Sequence, residues 1–167
     1  NVYVTDESDH RVQVFDSQGL FLRKWGTEGS GDGQFDEPAG LAIDREGNVY
    51  VADSIRGRIQ VFDSEGRFLR KWGTKGGEEG QFDEPGGLAI DVDGNVYVAD
   101  GRNHRIQVFS PEGKFETQWV NLSRAACVYL DNKGEQLVYV GEYYGGIGSN
   151  SMGTDLGPRV TIFDTKG

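Results

Sequence analysis

A single cysteine, Cys127, stands in the 167 residues, which excludes an internal disulfide and any metal site built on a cysteine cluster. The only two histidines, His10 and His104, cannot by themselves complete a catalytic zinc site, which usually takes three protein ligands. Basic residues are scarce: Lys and Arg total 17 against 27 Asp and Glu, a formal charge of −10. That field repels phosphate and no basic patch offsets it, so nucleic acid is not an expected partner. Arg23-Lys24 and its echo Arg70-Lys71 read as the solvated side of a strand. No apolar run approaches the ~18 residues of a membrane-spanning helix, so no membrane span is expected. The start at Asn1-Val2-Tyr3-Val4 has neither Met nor a signal peptide, so further chain is expected before it. Motifs for a nucleophile elbow, a phosphate loop or a dinucleotide site are missing as well.

What is abundant is glycine. The 26 glycines are about twice the ~7% usage of an ordinary protein, and 36% hydrophobic residues still suffice for a packed core. A folded, turn-rich chain follows. The turns recur: Asn1-Val-Tyr-Val, Asn48-Val-Tyr-Val and Asn95-Val-Tyr-Val keep a constant step, as do Trp25, Trp72 and Trp119. One period holds four strand signals, here named a to d: residues 40–44, 48–53, 58–63 and 67–72. Glycine-containing turns separate a from b and c from d, which makes the unit an antiparallel meander. Strands b and c are apolar at almost every position, so both of their faces must be buried. Four-stranded sheets stacked face to face around an axis provide that burial, and the period is that of a β-propeller blade.

The expected fold is therefore all-β, with strands b, c and d of one blade in 1–26 and full blades at 39–73 and 86–120. Strands a, b and c of a fourth blade follow in 125–167, interrupted by an insertion at 143–158. About three and a half blades result, one ragged end lacking an inner strand and the other an outer one. Closure of a ring is expected to need further blades, from the same polypeptide or from another chain.

The string Gly33-Gln-Phe-Asp-Glu-Pro-Ala-Gly-Leu-Ala-Ile-Asp44, followed by Gly47-Asn-Val-Tyr-Val-Ala-Asp53 and Arg58-Ile-Gln-Val-Phe-Asp63, resembles the bacterial NHL repeat. Its copy from Gly80 to Phe109 does so too. The resemblance implies a ring of about six blades serving as a binding platform for proteins, occasionally for RNA, and in some relatives as an enzyme. The last unit is similar to bacterial chains related to the peptidyl-hydroxyglycine amidating lyases, whose zinc is held by histidines, one type directly preceding the glycine that opens strand a. Ala39, Gly86 and Ala126 occupy those slots here.

Candidate site residues follow from the repeat. Asp6, Asp53 and Asp100 end strand b while Arg11, Arg58 and Arg105 open strand c, and opposite charges at the two ends of a hairpin can clamp it. Glu142 and Arg159 take these roles in the fourth unit. His10 and His104 share one place in the b-to-c turn, where Gly57 stands in the third copy, so a turn role competes with metal ligation. Asp91-Val-Asp93-Gly94-Asn95 offers a weak calcium pattern against an ordinary hairpin turn. Asn121-Leu-Ser123 fits the glycosylation acceptor triplet. In the insertion, Tyr143, Tyr144, Ile147, Met152 and Leu156 supply apolar contact area among glycines.

In a propeller the b-to-c and d-to-a connections share one face, and here they are the long ones. The expected function is a non-enzymatic binding or scaffold propeller that uses this face to contact a protein, peptide or glycan. The alternative is a metal-dependent lyase or hydrolase whose ligands lie mostly outside these residues. No cofactor is expected within them, although zinc or calcium is open for the full ring. An extracellular or periplasmic place is implied by the resemblance alone.

Overall fold

The computed structural model describes residues 1–131, 136–143 and 158–164. Short runs rich in Val, Ile, Tyr and Phe, each stopped by a turn, become strands because such side chains pack well on a pleated surface. The first blade is an antiparallel sheet of β1 (Val2–Asp6), β2 (Arg11–Phe15) and β3 (Phe21–Trp25). The second orders β4 (Pro38–Ile43), β5 (Val49–Asp53), β6 (Arg58–Phe62) and β7 (Phe68–Trp72). After the short pair β8 (Thr74–Lys75) and β9 (Gln81–Phe82), the third follows as β10 (Pro85–Ile90), β11 (Val96–Asp100), β12 (Arg105–Phe109) and β13 (Phe115–Trp119). The last sheet pairs β14 (Arg124–Asp131), β15 (Leu137–Tyr143) and β16 (Arg159–Phe163). The sole helical element among the described residues is a 3₁₀ turn at Gly101–Asn103. The strands expected from the repeat are all present, and the architecture is that of propeller blades.

The core lies between the blades. Tyr50, Ala52, Ile59 and Val61 of the second blade join Leu88, Val96, Val98 and Phe109 of the third in one buried cluster. Val49, Val51 and Phe62, on the other pleat of the second blade, pack instead with Val12 of the first. Successive side chains point to opposite faces of a strand, so a sheet sandwiched on both sides must be apolar throughout. Accordingly β5, β6, β11 and β12 are buried at every position, whereas β2, which among the described residues meets another blade on one side only, alternates.

The two long d-to-a connections carry regular structure of their own. Thr74–Lys75 pairs in parallel with Gln81–Phe82, and Glu28 bridges Phe35 in the same way one blade earlier. The folded-back ends carry Phe35 and Phe82, both fully buried. Phe82 sits 5.4 Å from the ring of Phe109, which lies 5.8 Å from Trp72 of the preceding blade; Phe35, Phe62 and Trp25 repeat the set at 5.6 and 5.7 Å. Aromatic pairs at such tilts contribute about 0.5–1.5 kcal/mol beyond area burial.

Candidate functional site

At the end of each b–c hairpin the expected acid–arginine pair forms. Arg58 Nε donates to Asp53 Oδ2 at 2.8 Å and Arg105 Nε to Asp100 Oδ2 at 2.8 Å, both pairs withdrawn from solvent. Arg11 Nη2 reaches Asp6 at 2.9 Å and Arg159 Nε reaches Glu142 at 2.8 Å. The first pair is about a quarter exposed, because its blade has no strand a or d-to-a loop over it among the described residues.

The repeat does not reveal by itself that these pairs hold the loops above them. Asp53 Oδ1 accepts the backbone N–H of Asp36, and Arg58 donates to the carbonyls of Ser30, Gly31 and Gln34. Gln60, fully buried, completes the cradle: its Nε2 donates to Gln34 O at 2.6 Å and its Oε1 accepts from Gly33 N at 3.0 Å. Gln107 does the same to Gln81 O and Gly80 N. In R-I-Q-V-F the glutamine looks like an ordinary alternating polar residue, and its partners lie 26 or 27 residues away. Thr161 substitutes for it in the last blade, donating its hydroxyl to Glu142, which also accepts the N–H of Ser123. Burial pushes the Asp53 carboxyl up, against the pull of Asp36 N–H and Arg58. For Glu142 the upward push of burial is outweighed by hydrogen bonds from Arg159, Thr161 and Ser123, and its pKa falls below the usual 4.5.

The other candidates resolve by geometry. His10 and His104 have φ of 51° and 54°, and Gly57, in the equivalent turn, has 62°. This left-handed slot is what the three share, and among the described residues no three His, Cys, Asp or Glu side chains converge as metal ligands. The Asp91 carboxylate is occupied by its own turn, accepting from Asp93 N, Asn95 N, Asn95 Nδ2 and Tyr97 OH. Asn121 is exposed with φ of 65°. Tyr143 is exposed, its ring 5.0 Å from the guanidinium of Arg124, which pairs with Glu84 alongside Arg102. Tyr144, Ile147, Met152 and Leu156 lie outside the described residues.

One expectation about the basic residues needs correction. Arg23 and Arg70 are half-buried and engaged across blades rather than simply solvated: Arg23 donates to Ser64 O in the next blade, and Arg70 to Pro111 O at 2.6 Å and Tyr50 OH at 2.8 Å. Only their neighbours Lys24 and Lys71 face water. The reason is register, since strand d is outermost and its inward-leaning position overhangs the next blade's c-to-d turn. The slots Ala39, Gly86 and Ala126 lie on adjoining a strands that touch backbone to backbone: a Cβ on Gly86 would meet Ala126 O at 2.8 Å. They bring no metal donor together.

The sequence model of the NHL repeat matches residues 35–62 and 82–109, each stretch running from the buried loop phenylalanine to the phenylalanine that ends strand c. RING finger protein nhl-1 of Caenorhabditis elegans is 54% identical over 41 residues, 25% of this chain and 4% of that protein. Among solved structures, hydrazine synthase of Kuenenia stuttgartiensis superimposes with a TM-score of 0.70 at 16% identity, over 97% of this chain and 42% of that one. A luciferin-regenerating enzyme gives 0.67 at 17% identity, over 91% and 50%. Virginiamycin B lyase from Staphylococcus aureus gives 0.62 at 13%, over 97% and 51%. The chain thus spans about half the length, or less, of the structures it matches, and at these identities the likeness is one of fold. Sequence match, blade order and shared backbone agree: the chain carries NHL repeats at 35–62 and 82–109 and is folded as β-propeller blades.

Proposed function

We propose that the chain is a binding platform whose partner, a protein, peptide or glycan, docks on the face formed by the d-to-a and b-to-c connections. The observation that supports this reading is the cradle of Asp53, Arg58 and Gln60, repeated by Asp100, Arg105 and Gln107. These buried groups fix the loops at 26–37 and 73–84 from below, and a loop held in one conformation loses little entropy on binding. Arg102, more than half exposed, and Tyr143 offer side-chain types enriched at interface hot spots.

Photo-crosslinking residues placed at Ser30 and Glu79 on this face of the full-length protein, and at Glu116 on the outer strand as a control, test the reading in its native cell. Defined partner adducts from the first two positions and none from the third are expected; labelling that is equal at all three defeats it. The second reading, a metal-assisted lyase or hydrolase, draws on the lyase names of the similar structures. Stoichiometric zinc in the full-length protein, with activity lost on its removal, would establish that reading instead.

A further inference from the structure

On the opposite face, between the a-to-b turns of the second and third blades, a cavity of about 440 Å³ opens. Pockets of roughly 300–1,000 Å³ hold small ligands. One wall is rigid and joins both blades: Arg70 donates to Tyr50 OH and Pro111 O, and its guanidinium carbon lies 5.5 Å from the Tyr50 ring centroid. The positive charge of Arg70 is thereby committed to the wall. Ile43, Ile90 and Val92 add apolar surface, Ile43 being exposed beside the opening.

The charges around this space do not cancel. Asp91 is 7% exposed, and all four of its hydrogen bonds come from neutral donors. Asp44 likewise accepts from Asn48 and Tyr50. Glu46 and Asp93 stand exposed in the two turns, and among the described residues no basic side chain pairs with either. Against these four carboxylates the lining has only Arg45 and Arg70. A bare metal ion does not suit the place, since no three acidic groups converge among the described residues. A cation with an apolar stem suits it on both counts, because the stem can lie on the isoleucines while the charge meets the turn carboxylates.

We propose that this cavity binds an alkylammonium group on an aliphatic stem, the chemistry shared by a lysine side chain and a free polyamine. It is separate from the docking face proposed above, so either assignment can fail alone. The test is an NMR titration of the full-length protein with the peptide acetyl-Gly-Lys-Gly-amide, its norleucine counterpart and spermidine, following the side-chain amides of Asn48 and Asn95. Saturable shifts with the lysine peptide or spermidine, weakened about five- to tenfold in the double variant Glu46→Gln, Asp93→Asn, are expected. Tighter binding of the peptide assigns a protein partner, and tighter binding of spermidine a polyamine. Both turn residues are exposed, so the variant should fold, and unchanged amide spectra in its free state verify that. Absence of saturation by either cation, an equal response to norleucine, or unaltered affinity in the double variant overturns the proposal.

Discussion

Replacing Arg58 by leucine strands the Asp53 carboxylate in a site with no exposure, and breaking one side of a buried pair costs about 3–5 kcal/mol. Lys114→Ala removes only an exposed contact to Glu116 and is expected to cost about 0–1 kcal/mol; urea unfolding midpoints of the two variants measure the difference. The left-handed turn gives a second contrast. A non-glycine residue at such φ is strained by about 1–2 kcal/mol, so His104→Gly should leave thermal stability unchanged or raise it. Gly57→Val, whose Cβ would lie 2.6 Å from Phe82 O, should lower it markedly. Glu142 sets a pH dependence. Its folded pKa is depressed, so its contribution is complete above the ordinary value near 4.5 and is lost as pH falls through the lower folded value. The last blade should therefore loosen in acid first, seen in the near-UV signal of Trp119, whose ring is 5.0 Å from Phe163. In Glu142→Gln that acid limb should flatten; an unchanged limb would assign the acid response to other groups.

Each of the two long d-to-a connections, 26–37 and 73–84, behaves as an element in its own right, held by parallel pairing and plugged into the core by one phenylalanine. Phe82→Ala should cost about 3–5 kcal/mol and, more tellingly, speed amide exchange at Gly76, whose N–H bonds to Phe82 O. If Gly76 stays protected while global stability drops, the ring is only core filler and does not hold the ladder. The strands were legible because the period of the sequence states them three times over, and the acid–arginine pairs because both partners recur five positions apart. The ladders were not. Phe35 and Phe82 stand within polar, glycine-rich stretches, where a lone aromatic carries no periodic signal. Gln60 and Gln107 were missed for the complementary reason, being hidden inside a perfect strand pattern while their partners lie on another element. The inter-blade reach of Arg70 depends on how far strand d overhangs the next sheet, which the order of residues does not express.

For the molecule as a whole, a charge of −10 acts against compactness through self-repulsion. Raising salt from about 10 mM to 0.15 M shortens the Debye length from about 30 Å to 8 Å, and the urea midpoint should rise accordingly, since the buried clamps are little screened. A midpoint that falls would mean that exposed ion pairs such as Lys71–Asp32, at 2.5 Å, outweigh the repulsion. The innermost strands set a different kind of limit. Gly40 lies so close to Gly86 O that a Cβ would sit 2.5 Å away, and Gly87 would place one 2.7 Å from the Cα of Cys127. With no side chain to act as a spacer, the angle between successive sheets in this sector is governed by main-chain thickness alone. Any larger residue there would work as a wedge, and a small displacement at the hub would be magnified at the rim, where the outermost strand of each blade is carried.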